Sequence, residues 1–287
     1  MRGIILSGGT GSRLYPITKV LSKQLLNVYD KPMIYYPLST LMLSGIREIC
    51  IVTTLEDSKH YMKLLGNGNQ FGVTIKYFVQ RTPEGIPQAL MLTKDFIEKR
   101  SCCLILGDNL FYGPTLGTDL KKYTEVKGAH IFGYQVQDPE RYGVVQFSAL
   151  NKIESLEEKP IYPKSNFAIT GLYYFDETVT ERTSSLKKSR RGEYEIIDVL
   201  HSYQNENLLE ATILPRGTAW LDTGNPESLH DASAFIKVIQ ERQGVLISSP
   251  EEIAFRNNWI SEEELRSSIK SLGHTRYAKY LAALLHS

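Results

Sequence analysis

Cysteine is scarce in this chain. There are three, Cys50, Cys102 and Cys103, and each lies in an apolar run. An odd set without ligand spacing argues against a disulfide framework or a cysteine metal site, and points to reduced core residues. The six histidines are scattered, and no pair has the spacing of a zinc-binding helix. Long hydrophobic runs are missing too: none approaches the roughly 18 residues a spanning helix requires, so no membrane partner is expected. Charge of one sign is not in excess either. Lys+Arg 33 against Asp+Glu 32 leave a net +1, so no nucleic-acid partner is expected and any cationic site must be local. No charged leader with a cleavable apolar stretch opens the sequence, which gives the expectation of a cytoplasmic protein. Repeats, linkers and low-complexity tracts are also absent, and residues 1–287 read as one domain.

What is present is ordinary globular composition, 42% hydrophobic and 23% charged, with ample material for a large core. Short apolar runs at 3–7, 48–54, 73–79, 102–106 and 129–136 read as strands. Amphipathic segments at 33–44, 57–65, 87–99 and 117–126 read as the helices between them. Alternation of this kind predicts an α/β fold, a Rossmann-like, mostly parallel sheet flanked by helices. Pro37 falls near the end of a first helical turn, and Pro87 suits a first helical position. Further on, "YGVVQFS", "NKIESLEEKP" and "NFAITGLYYFD" are strand-like runs joined by polar turns, an antiparallel addition to the sheet. From 226 the chain reads as a helical C-terminal appendage to a 1–225 core, with helices at 226–243, 250–256, 261–271 and 275–285. Ser261 and Glu264 form a capping box.

The chemistry starts at "LSGGTGSRLYP". Gly8, Gly9 and Gly11 let backbone N–H groups close on an anion at the end of the first strand. A Walker loop would need Gly-Lys-Ser/Thr, and a dinucleotide fingerprint would need glycine where Leu14 stands. Arg13 offers a planar fork for phosphate oxygens and Lys23 a compact charge, whereas Lys19 reads as a solvated cation. In "LILGDNLFYG", Asp108 ends an apolar strand at the carboxyl edge where α/β sheets bind ligands. Asp222, in "GTAWLDTGNPESL", precedes a helix. Two such aspartates could converge on Mg²⁺, which takes oxygen ligands and shares itself with phosphates. Glu158 and Lys159 stand together before Pro160, which biases Lys159 to extended geometry. The run "KKSRRGE" reads as a solvated loop in which Arg191, beside Gly192, could fold over an anion. Gly143 and Gly171 could admit a ring or could be plain strand glycines.

These blocks, with "SKQLL", "DPERYGVVQF", "GEYEIIDV" and "PEEIAFR", resemble the bacterial sugar-1-phosphate nucleotidyltransferases over nearly the whole chain, and within them the thymidylyltransferases acting on glucose 1-phosphate. The resemblance implies substrates dTTP and a sugar 1-phosphate, with Mg²⁺ as cofactor. It implies that Gly8, Gly9, Thr10, Gly11 and Ser12 wrap the nucleotide and that Arg13 and Lys23 meet its phosphates. Gln80 and Gly85 would read the base. Asp108 and Asp222 would bind the metal; Gly143, Glu158, Ile169 and Gly171 would hold the sugar, and Lys159 and Arg191 its phosphate. It further implies a homotetramer with a regulatory site that includes Glu252 and Arg256. Asn27, Pro87 and Asn225 depart from the family's usual proline, alanine and threonine. Two rival readings are a uridylyltransferase on a related sugar phosphate and a catalytically silent nucleotide-sugar sensor. A dinucleotide oxidoreductase is disfavoured by the missing third glycine.

Overall fold

A computed structural model describes residues 1–286. In chain order the first elements are β1 (Arg2–Leu6), β2 (Asn27–Val28), β3 (Lys31–Pro32), α1 (Tyr35–Leu43), β4 (Glu48–Thr53), α2 (Leu55–Leu65), β5 (Thr74–Val79), α3 (Pro87–Leu92), α4 (Lys94–Ile97), β6 (Cys102–Leu106) and β7 (Asn109–Tyr112). Then come α5 (Leu116–Lys121), β8 (Ala129–Gln135), β9 (Gly143–Phe147), β10 (Ile153–Glu158), β11 (Phe167–Phe175), α6 (Val179–Ser184) and α7 (Ile196–Gln204). The chain continues through β12 (Leu209–Ile213), β13 (Ala219–Asp222), α8 (Pro226–Gln243), α9 (Pro250–Arg256), α10 (Glu262–Leu272) and α11 (Arg276–Ala283).

The centre is a nine-stranded mixed sheet whose main path runs β10-β9-β11-β6-β1-β4-β5. The strands β5, β4, β1 and β6 are parallel, as their helical crossovers require. Beyond β6 the direction reverses: β11 is antiparallel to β6, β8 and β9, and β9 pairs antiparallel with β10. This is the antiparallel addition expected from the sequence. Along β11 the register against β8 shifts between Ile169 and Tyr173, so the strand bulges around Gly171.

Both faces of the parallel part are covered, which explains its unbroken apolar runs. Successive residues feed opposite layers: Ile5, Ile51, Cys103 and Ile105 join one core with α1 and the C-terminal helices, while Ile4, Cys50, Val52 and Leu104 join the other with α3 and α7. The three cysteines are free and buried, and burial pushes the Cys102 thiol up to about 12. A third cluster (Val28, Met33, Tyr36 and Leu110) lies under Ala232 and Ile236 of α8. Ala254, Ile260, Leu265 and Leu281 from the helical appendage enter the first core, so the C-terminal helices share the packing of the sheet. No helix among the described residues is long and apolar enough to cross a membrane.

Some element boundaries differ from the periodic pattern. The single helix read over 87–99 is two short ones, because Thr93 sits at φ −101° and its hydroxyl donates back to the Ala89 carbonyl at 2.7 Å. The 117–126 helix stops at Lys121, whose carbonyl accepts the Thr124 hydroxyl at 2.9 Å in place of the next helical turn. The 57–65 segment starts two residues earlier, capped by the Thr54 side chain. Pro87 is at the start of its helix, and the Ser261 box is formed. Asn225 caps α8 reciprocally with Ser228, ahead of Pro226 at the first helical position.

Ile105 is fully buried at the centre of the sheet. Replacing it by alanine is expected to cost about 2–5 kcal/mol, read as a lower urea midpoint of unfolding.

Candidate functional site

The site opens at the carboxyl ends of β1 and β6. After β1 the chain passes through Gly8 to Gly11, with Gly11 at φ 58°, a left-handed turn open to glycine at little cost. The next residues, Ser12–Leu14, form only a three-residue 3-10 turn, so the anion cradle is a loop without a long helix behind it. Buried Leu14 anchors that loop, and the Thr18 hydroxyl donates to the Gly11 carbonyl at 2.7 Å. Thr10, Ser12 and Arg13 are exposed on its surface. Arg13 makes no hydrogen bond or ion pair among the described residues, and Lys19 points to solvent near the Tyr15 ring.

The two aspartates come together. Asp222, at the end of β13, lies opposite Asn109 in the β7–β13 ladder, one residue from Asp108. The Thr223 N–H and hydroxyl both reach the Asp108 carbonyl, at 3.3 and 2.9 Å. Burial alone would raise the Asp108 carboxyl. The Lys23 ammonium and hydrogen bonds from Lys23 and Asn109 outweigh it and hold the group below its usual range. Lys23 is ion-paired directly with Asp108. Asp222 lacks such a partner: burial and the Asp108 charge push its carboxyl up, opposed by Lys23, Arg141 and Arg13. Arg141 stands 3.8 Å from it.

A cavity of about 230 Å³ connects these groups to the second half of the chain. It brings together Arg13, Asp108, Asp222, Gly143, Glu158, Lys159, Ile169 and Gly171, eight of the residues singled out from sequence. Gly143 faces Glu158 across β9 and β10. Gly171 leaves no room for a side chain, since a Cβ there would lie 2.7 Å from both Asn109 Oδ1 and Leu106 Cδ1. Arg191 reaches Glu158 at 3.2 Å and Glu195 at 2.6 Å, and Lys159 reaches Glu158 at 3.5 Å.

Lys159 corrects the sequence reading. It is not extended but has φ 44°, an uncommon state for a residue that also precedes proline. Its N–H donates to the Tyr142 carbonyl at 3.0 Å, which closes the end of the β9–β10 pair.

The residues expected to read the base lie apart from the residues lining this cavity. Gln80 is 2% exposed and packs against Gly8. Gly85, at φ 100°, would put a Cβ 2.1 Å from the Tyr194 carbonyl, so the "PEG" turn can only close with glycine. Glu252 and Arg256 are elsewhere. They form an ion pair at 2.8 Å on α9 and line a separate cavity of about 530 Å³ with Tyr112, Lys121 and Ser248.

Several site residues escaped the sequence reading. Asn109 Oδ1 accepts the Gly171 N–H at 3.0 Å and the Trp220 indole N–H at 2.6 Å, tying the bulge to the β7–β13 ladder. Arg141 and Glu195 also belong here. Asn109, Trp220, Arg141 and Glu195 sit inside the sequence blocks "GDNLFYG", "AWLDTG", "DPERYG" and "GEYEII", where nothing about the residue types themselves singles them out.

The family model described as "Nucleotidyl transferase" matches residues 2–238. A glucose-1-phosphate thymidylyltransferase of Mycobacterium tuberculosis is 52% identical over 285 residues, 99% of both chains. One from Neisseria meningitidis is 49% identical over 286 residues, again covering 99% of each. Among solved structures, a provisionally named glucose-1-phosphate thymidylyltransferase of Bacillus anthracis is 41% identical, with a TM-score of 0.76 over 82% of this chain and 94% of that one. A UDP-glucose pyrophosphorylase complexed with UDP-glucose, 23% identical, shares the fold, with a TM-score of 0.73 over 83% of this chain and 98% of that one.

The unrelieved carboxylate gives a measurable sign. Asp222 titrates above its ordinary value, so its ionisation costs stability above that value and nothing below the usual carboxylate range. In chelator at pH 7, Asp222→Asn is expected to unfold at a higher temperature than the parent. The gap should close as the pH falls toward ~4; a lower Tm for the variant at pH 7 would contradict the raised carboxyl.

Proposed function

The chain belongs to the nucleotidyl transferase family, and from that membership we propose that it joins dTTP and glucose 1-phosphate to give dTDP-glucose and pyrophosphate. The observation that carries this reading is the convergence of Asp108 and Asp222 from distant strands beside a cavity edged by Arg13, Arg141 and Lys159. Curated relatives about half identical over the full chain are named for this activity.

The attacking oxygen belongs to the sugar phosphate, whose second pKa is about 6, as for phosphorylated side chains. It is largely ionised at neutral pH, so in-line attack on the α-phosphorus needs no general base. In keeping with this, no histidine, serine or cysteine is among the residues lining the cavity. The obstacle is repulsion between two polyanions. Positioning and fixed charge are therefore what the protein must supply.

Arg13, unpaired and projecting over the cavity, and Lys23 take the polyphosphate. Lys159 and Arg191 take the sugar phosphate, while Glu158, held between them, accepts sugar hydroxyls. Gly143, Ile169 and Gly171 give the ring its floor. The donor set suits Mg²⁺: Asp108 and Asp222 would hold it as two oxygen ligands, leaving places for phosphates and water. When bound, the cation neutralises phosphate charge and polarises the reacting phosphoryl group. The cavity of Glu252 and Arg256 is a regulatory site in a homotetramer, and the enzyme acts in the cytoplasm as the first step of deoxysugar nucleotide synthesis.

Incubating the protein with dTTP and glucose 1-phosphate, with and without Mg²⁺, tests the reading directly. Mg²⁺-dependent dTDP-glucose and pyrophosphate are expected, and their absence would refute it. Arg13→Ala should lower turnover roughly 10²–10³-fold with the fold retained; near-normal turnover removes Arg13 from the reaction. For Asp222→Asn the expected symptom is a much higher Mg²⁺ requirement, against an unchanged metal titration if Asp222 is not a ligand.

A further inference from the structure

Two hydrogen-bonded carboxamides beside the glycine turn carry an inference that rests on reading this turn as the pyrimidine nucleotide site. Gln80 follows β5, and its backbone N–H is bound to the Thr53 carbonyl at 2.8 Å. Its side chain is almost completely buried, with Oε1 only 2.1 Å from where a Cβ on Gly8 would stand. That oxygen accepts no hydrogen bond among the described residues, so its acceptor capacity is open to a ligand. The Nε2 end is engaged, donating to Gln88 Oε1.

One backbone group fixes the orientation of both amides. The Glu84 N–H can only donate, and it meets Gln88 at 2.9 Å, so the Gln88 atom there is the oxygen. Gln88 Nε2 then faces Glu84 Oε2 at 3.1 Å. Because Gln88 presents an acceptor, Gln80 must offer it an N–H, and the Gln80 carbonyl is turned away toward Gly8. Glu84 is itself anchored. Its second carboxylate oxygen pairs with Lys188 at 2.6 Å, and its carbonyl accepts the Tyr194 N–H at 2.8 Å.

We infer that Gln88 is the positioning residue for base specificity: by locking the Gln80 carboxamide with its carbonyl toward the turn, it makes the site take pyrimidines with an imide N–H and reject cytosine. The imide N3–H of thymine or uracil donates to that carbonyl, and an adjacent ring carbonyl accepts the remaining amide N–H. Cytosine puts an acceptor at N3 and a donor beside it, the reverse pattern. With Gln80 free to rotate by half a turn, its carboxamide would satisfy either ring; with Gln88 in place it satisfies one. The imide edge is common to thymine and uracil, so this device leaves their relative use untouched.

The test compares kcat/KM for dTTP, UTP and dCTP in the full-length protein, with calorimetric binding of each nucleotide. Gln88→Met is expected to reduce the dTTP-to-dCTP ratio about 10–100-fold. The dTTP-to-UTP ratio and kcat at saturating dTTP should stay within about threefold. Gln88→Glu alone would set two carboxylates against each other, because Gln88 Nε2 donates to Glu84; the double variant Glu84→Gln/Gln88→Glu keeps an acceptor toward both donors and a donor facing it, and should retain the parental discrimination. Unchanged discrimination in Gln88→Met, or loss in Glu84→Gln/Gln88→Glu as large as in Gln88→Met, overturns the positioning role. Gln80→Leu separates the two levels: if it too discriminates like the parent, the base-reading assignment of this turn fails, whereas loss there alone refutes only the part given to Gln88. Should Gln88→Met not fold, the ratio of Glu84→Gln/Gln88→Glu decides, a tenfold fall counting against the inference.

Discussion

Two carboxylates held one strand-neighbour apart in a half-buried cleft repel each other, and the geometry of the site depends on that juxtaposition. Asp108 and Asp222 are separated by more than a hundred residues of chain, yet the β7–β13 ladder sets them side by side through backbone pairing. Neither could be placed there by a flexible loop without losing the charge density that draws a cation. The protein relieves them unequally: Lys23 pairs directly with Asp108, whereas Asp222 has Arg141 only at 3.8 Å. It leaves Asp222 with a raised affinity for positive charge. In the proposed function, this unequal treatment would leave Asp222 with charge to offer a metal.

The sheet serves this pair. Reversal of direction after β6 lets β11 run beside the aspartates, and the bulge at Gly171 turns a backbone N–H onto Asn109. Asn109 also takes the Trp220 indole proton. One buried carboxamide oxygen thus joins β7, β11 and β13, and polar groups this buried specify a single arrangement when each is satisfied. The cavity owes its floor to the residue types that make this approach possible. A side chain at Gly171 would strike both Asn109 and Leu106.

The parallel core was legible because its strands are buried on both faces and read as plain apolar runs; the 48–54 run and its neighbours needed only period and length. Two kinds of feature were not legible. Helix ends at Thr93 and Lys121 depend on hydroxyls that compete for backbone carbonyls, which periodicity does not register. The edge strand Leu209–Ile213 received no element from the sequence, because only five residues of alternation, none of them buried, follow a polar stretch. For the site, the glycine turn, the aspartates and the Glu158–Lys159 pair stand out as residue types in unusual positions. Asn109, Arg141 and Glu195 are common residues whose importance lies in what they touch. The left-handed Lys159 runs against a sound local rule, because closing the β9–β10 pair on the Tyr142 carbonyl outweighs the preference of a residue before proline.

The segment 188–195, which looked like a solvated basic loop, links the two halves of the site. Lys188 and the Tyr194 N–H hold Glu84 in the base-side turn, and the Tyr194 carbonyl fills the space that a side chain at Gly85 would need. Arg191, between them, reaches Glu158 on the sugar side and is braced by Glu195. Burial would raise the Glu195 carboxyl, but Arg191 and the Ser189 hydroxyl hold it below its usual value, so the brace stays charged at neutral pH. One loop therefore contacts both subsites through short, oriented bonds. In the proposed reaction this loop would fix the spacing between base and sugar phosphate, and in-line transfer between two mutually repelling anions demands such fixed positioning.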